Sequence, residues 1–234
     1  MILRRLTNAF RKQDWFTVVI ETLIVVLGVF IGLQVGNWND AARDRTQEAI
    51  VLDQLEREFT SVVEAAKEAK VEADISLTAT RQVLRAIRDG KEPEDPAAFL
   101  QTLGRAGGFE SGPLEPVTLT ELMTASGLSE LSSPDLRTAL IRYHETADYQ
   151  RELASLVLQR VSAPHDGFHD AIYVNPDFSP ELGNRLERYD WALMPGTRQQ
   201  FQTIMYGKLG LSYGIDEQIA RGEAVLAEIE KARK

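Results

Sequence analysis

Apolar residues follow two regimes along this chain. From Phe16 to Gly36 they form a run broken only by Thr17, Glu21, Thr22, Gln34 and a few glycines; beyond Trp38 they recur at every third or fourth position. The first regime spans 21 residues, which at 1.5 Å per residue reach roughly 30 Å, the thickness of the hydrocarbon layer of a bilayer. It therefore predicts one transmembrane helix over residues 16–38. Trp15 and Trp38 bracket it at the two levels where an indole ring keeps its N–H wet and its body in lipid, and we read them as interfacial anchors. A buried core helix is an alternative, but soluble helices rarely carry so long an apolar run. A cleaved signal peptide fits less well. The run exceeds a usual signal core, Glu21 interrupts it, and Val35, Gly36 and Asn37 make no small-x-small cleavage site.

The second regime predicts an all-α domain. No Pro or Gly lies between Trp38 and Asp89, and Leu52, Leu55, Phe59, Val62, Ala66, Ala69, Ala73 and Ser76 keep a three-four spacing, so the transmembrane helix should continue into one long amphipathic helix ending near Asp89 and Gly90. Residues 91–117 read as a connector, rich in Pro and Gly, with a short helix around Ala97 to Leu103. A short helix follows at Thr118 to Ala125. Ser132 or Ser133 then caps a second long helix, with Pro134 in its first turn and Leu136, Leu140, Tyr143, Ala147, Ala154, Val157 and Val161 on its buried face; Pro164 marks its end. A third long helix, from Thr197 to Lys234, carries Phe201, Ile204, Met205, Ile215, Ile219, Leu226 and Ile229, and Gly207, Gly210 and Gly214 either let it pack closely or kink it. No strand pattern emerges. Between these helices, Phe168, Tyr173, Phe178, Tyr189 and Trp191 mark a segment that is either a loop pinned to the bundle by its rings or an aromatic-lined binding surface.

Charge adds orientation. The formal net charge is -9, yet residues 1–15 hold Arg4, Arg5, Arg11 and Lys12 against Asp14 alone. The positive-inside rule then makes residues 1–15 a cytoplasmic basic tail and residues 39–234 an extracytoplasmic helical domain. So short a tail houses no output domain. An acidic body repels phosphates and offers no basic stripe, which argues against nucleic-acid binding. The absence of cysteine excludes disulfides and thiolate chemistry.

Glu21, Gly28, Gly32 and Gly36 are spaced by seven, four and four and so share one helix face with Thr17 and Val25. Glycines at that spacing let two helix backbones approach, and a carboxylate in lipid calls for a partner or water. We read the stripe as a helix-association face for a second copy or another membrane protein. In the alternative account Glu21 reaches back to the headgroups and the glycines are ordinary membrane-helix residues.

Two patterns invite a chemical reading. Gly210, Ser212 and Gly214 match a nucleophile elbow, but their surroundings read as helix, and His144, His165 and His169 all precede Ser212, whereas that fold places its histidine last. His165 and His169 are four residues apart, a spacing that suits a shared metal, and His144 and Glu145 could add ligands if the fold brought them close. Against this, Pro164 and Gly167 disturb a regular helix, and no glutamate stands between the histidines to activate water. The residues name no catalytic group, metal or cofactor.

The stretch TNAFRKQDWF at residues 7–16, running into VVLGVFIGLQVGNWND at residues 25–40, resembles an uncharacterised bacterial family of single-pass inner-membrane proteins. A second block, Glu121 to Leu128 followed by Pro134, Asp135, Leu136, Arg137 and Tyr143, is similar to that family's middle region. The resemblance implies a bacterial inner-membrane location and no activity; with the orientation read from the cations, the domain beyond the span is then expected to be periplasmic. Two functions follow as expectations: a membrane-anchored interaction, scaffold or sensory module, or a metal-assisted enzyme centred on His165 and His169.

Overall fold

The computed structural model describes residues 15–109, 112, 115–125, 127–162, 167–177 and 185–234, with side chains from residue 19 onward. The chain is all-α in character. Helix α1 runs from Trp15 to Asp89, 75 residues without a break. Its end is local chemistry: Gly90 takes a left-handed φ of +64° and donates its N–H to the Ala86 carbonyl at 3.1 Å, closing the last turn. The short α2, Pro96–Ala106, starts where the Asp95 carboxylate accepts from the Ala97 and Ala98 N–H groups, each at 3.0 Å. Helix α3 covers Val117–Thr124, and a 3₁₀ turn follows at Gly127–Glu130. Ser133, rather than Ser132, caps the second long helix, α4, Pro134–Val161, by accepting from the Leu136 N–H at 3.2 Å. After the single turn α5, Phe168–Ala171, comes a ribbon that the periodicity did not predict. Strand β1, Ile172–Val174, pairs antiparallel with β2, Leu186–Tyr189, placing Ile172 opposite Tyr189. A 3₁₀ turn at Met194–Thr197 leads into α6, Arg198–Ala232.

The chain divides after Ile50 into two units. In the first, every described side chain from Val19 to Gln47 is exposed, and α1 there is long and apolar enough to cross a membrane, with 0% of its apolar window buried. A sheath of Val, Ile, Leu and Phe left in water is unfavourable by roughly 25 cal/mol per Å². The basic tail predicted for residues 1–15 lies outside the described residues except Trp15.

The second unit, Val51–Lys234, is a bundle of the outer part of α1 with α4 and α6. Its described core falls into three clusters along α1. Leu52, Leu55 and Phe59 meet Leu136, Leu140 and Tyr143 of α4 and Val225 and Ile229 of α6. Ala66 and Ala73 meet Ile215. Ala79, Val83 and Ile87 meet Phe99 and Leu103 of α2, Ile172 of β1, and Phe201 and Ile204 of α6. Contacts therefore advance along α1 as they retreat along α6, and these two helices run antiparallel. Helices α4 and α6 do the same at close range. A Cβ on Gly207 would stand 2.7 Å from Val157 Cγ1, one on Gly214 would overlap the Gln150 amide, and one on Gly222 would stand 2.5 Å from Val63 Cγ2 of α1. Of the two readings of the α6 glycines, close packing is the one realised, because α6 is a single helix through all of them.

Candidate functional site

The connector before α3 ends in Glu115 and Pro116, and α3 is tied to α1 because Glu58 accepts from the Thr118 N–H at 2.9 Å and from its hydroxyl at 2.7 Å. That lock presents Glu115 to the middle of α4. On α4, His144 and Asp148 are one helical turn apart and share a face, with Arg151 on the next turn. His144 Nδ1 lies 2.5 Å from Glu115 Oε1, and His144 Nε2 lies 3.5 Å from Asp148 Oδ2. Arg151 closes the group, 2.6 Å from Asp148 Oδ1 and 3.5 Å from Glu115 Oε2. Both imidazole nitrogens thus face carboxylate oxygens. The Glu115 side chain is 7% exposed, whereas that of Arg151 is 63% exposed.

Beside His144, the Tyr143 ring is fully buried, and its hydroxyl has no hydrogen-bond partner among the described residues. Burial pushes this phenol's pKa far above its ordinary value, and the negative charge of Glu115 pushes it in the same direction. The hydroxyl therefore stays protonated, within the field of Glu115 but out of hydrogen-bond reach of it. Chemically, the group can hold a proton between His144 and Glu115, or offer one imidazole nitrogen and two carboxylates to a cation. One ligand atom from each of Glu115, His144 and Asp148 lies within 4.8 Å of the others.

A second polar centre sits deeper. Lys208 of α6 is 4% exposed, and its Nζ donates to the Ala106 carbonyl at 2.8 Å, to Thr80 Oγ1 at 3.0 Å and to Ser76 Oγ, with the Phe109 ring centroid 5.4 Å away. Ser76 in turn donates to the Gly108 carbonyl at 3.0 Å. This cage joins α1, the end of α2 and α6, so it serves the architecture.

The residues singled out from the sequence fall elsewhere. Glu21, Gly28, Gly32 and Gly36 lie along one exposed face of α1, with open space beyond each glycine, and Trp38 is 81% exposed. Trp15 opens the helix. Ser212 is buried in mid-helix with its hydroxyl 3.3 Å from Asp74 Oδ1, so the nucleophile-elbow pattern is a helical coincidence. His165 lies outside the described residues, as does Phe178. His169 is exposed, on the turn whose neighbour Phe168 packs against Phe201 at 5.7 Å. His144 belongs to the other end of the bundle, where Tyr143 approaches Gly222, roughly 30 Å along α6 from Phe201 by helical rise. The two histidines cannot share an ion.

Tyr189 and Trp191 pack edge-on against Phe99, at 5.2 and 5.9 Å, so these aromatics pin the segment to the bundle. The Glu115 cluster itself was half visible. His144, Asp148 and Arg151 stand at helical spacing in the sequence, but only the fold brings in Glu115. Compared with protein-family models, curated proteins and solved structures, the chain matches none.

Proposed function

We propose that this protein is a single-pass, membrane-anchored interaction, scaffold or sensory module of the bacterial inner membrane. Residues 16–38 cross the bilayer, residues 1–15 stay in the cytoplasm, and residues 39–234 form a periplasmic bundle. One observation carries this reading. The same uninterrupted helix, α1, holds an apolar segment with nothing buried and, further on, contributes to all three core clusters. A helix with both properties needs an apolar solvent at one end and a folded domain at the other. The cations before the span and the family resemblance support the orientation and location, and the acidic body keeps nucleic acid out of the list of partners.

The orientation is tested by fusing after Lys234 a reporter active only outside the cytoplasm. It should be active, in a chain whose intact mass retains the residues before Trp15. An inactive reporter reverses the orientation, and loss of about 40 residues identifies a signal peptide.

Assembly in this reading runs through the Glu21, Gly28, Gly32 and Gly36 face. Replacing Gly28 or Gly32 by Ile puts a branched side chain where backbones should touch and should weaken association in a bilayer assay by about tenfold or more. Val29→Ala and Phe30→Ala, on other faces, should change it little. Association that ignores both glycine replacements, with Glu21→Gln equally silent, rules out this face.

A further inference from the structure

We propose that Glu115, His144 and Asp148 form a binding site for one divalent transition-metal ion of the zinc or manganese kind, with Arg151 as the cation that neutralises the cluster when the site is empty. The donor set carries the argument first. One imidazole with two carboxylates is a ligand combination suited to zinc, manganese or iron, whereas the imidazole makes it a poor site for magnesium or calcium. Geometry comes second. One ligand atom from each residue lies within 4.8 Å of the others, and ligand atoms held at about 2.0–2.2 Å from an ion sit roughly 3.3–3.6 Å apart. The rearrangement required is of the order of 1 Å, within side-chain reach. Two of the ligands are already ordered on one face of α4, and the third is held by the tie of α3 to Glu58.

Electrostatics adds a third line. The carboxylates of Glu115 and Asp148 sum to minus two, which one dication cancels, and in the empty cluster Arg151 and the imidazole stand in its place around Glu115, a side chain with little access to water. Burying such a charge without full compensation is costly. Arg151 is itself largely in solvent, so it can withdraw without breaking the core. Next to His144 on the same helix, Tyr143 keeps a fully buried hydroxyl that is unpartnered among the described residues.

The proposal uses the bundle alone and not the membrane reading, so either can fail without the other. The test takes the full chain, without an affinity tag, in detergent micelles after dialysis against chelator. Zinc chloride titrated by calorimetry should bind at about one equivalent per chain, and cobalt(II) should give a visible spectrum with a nitrogen and oxygen ligand set. His144→Ala and Glu115→Gln should each weaken binding by more than about a hundredfold, since each removes a ligand. Asp148→Asn, the mildest change, guards against a fold defect when circular dichroism shows full helicity. His169→Ala should bind as the parent does. Arg151→Ala is the decisive variant: it removes a competing cation, so zinc should bind about tenfold tighter. A purely structural ion-pair network gains nothing from that change. No stoichiometric zinc in the parent chain overturns the site; so does binding that survives His144→Ala and Glu115→Gln, or an Arg151→Ala chain that binds zinc no more tightly than the parent.

Discussion

Replacing Phe59 by alanine should destabilise the bundle by about 3–5 kcal/mol, the usual range for deleting a buried ring. Phe59 is fully buried and meets Tyr143 edge-on, with ring centroids 4.8 Å apart. The removed atoms lose their transfer free energy, and they leave a void beside Gly222, a position with no side chain to fill it. Tyr143→Phe is the informative contrast. It keeps the ring on Phe59 and removes a buried hydroxyl that has no partner among the described residues, so stability should hold or rise by up to about 1 kcal/mol. Denaturant unfolding of the full chain in detergent, followed by helical circular dichroism, reads both. A Phe59→Ala chain that unfolds at the parent's midpoint would show that this cluster does not hold α1, α4 and α6 together. A marked loss in Tyr143→Phe would show that the hydroxyl is satisfied after all.

Lys208→Met should cost the bundle about 3 kcal/mol or more. Methionine preserves the length and apolar stem but cannot donate, leaving the Ala106 carbonyl and the Ser76 and Thr80 hydroxyls, all shut away from water, without their ammonium donor. Hydrogen bonds from a charged donor contribute roughly 1.5–3 kcal/mol each, and orphaned buried acceptors add their desolvation. Arginine should not rescue the site, because a planar guanidinium does not fit around acceptors arranged about one point. Lys67→Ala supplies the scale for an ordinary cation: its 2.6 Å pair with Glu223 is more than half exposed at both ends, and such pairs contribute at most about 1 kcal/mol. Equal losses in the two variants would mean that the Lys208 cage adds nothing beyond a surface charge.

Much of the helical layout was legible because helix limits are written locally. Gly90 supplies the one residue type at ease at its positive φ, Asp95 caps α2 ahead of Pro96, and Ser133 caps α4 ahead of Pro134. The core stripe of α1 was legible for the same reason, save that Val63 rather than Val62 is buried and Ala69 is only half-buried. The β1 and β2 ribbon escaped. Strands of three and four residues are too short to show alternation, and their pairing joins Ile172 to Tyr189, residues that no local period links.

Period, capping residues and the length of an apolar run depend only on neighbours along the chain. The sequence by itself therefore determined that this protein is helical, where its long helices end, and that one segment of α1 is apolar enough to cross a bilayer. What only the tertiary structure decided is which polar groups meet. Lys208 reads as a solvated cation in a stretch of mixed composition, and it is buried because the antiparallel register of α1 and α6 sets it beside Ser76 and Thr80. Glu115 reads as one more acid in a connector, and it becomes part of a site because α3 is docked on Glu58 while the α6 glycines let α4 settle close to α6. Those encounters depend on register between helices far apart in sequence, and no local period encodes it.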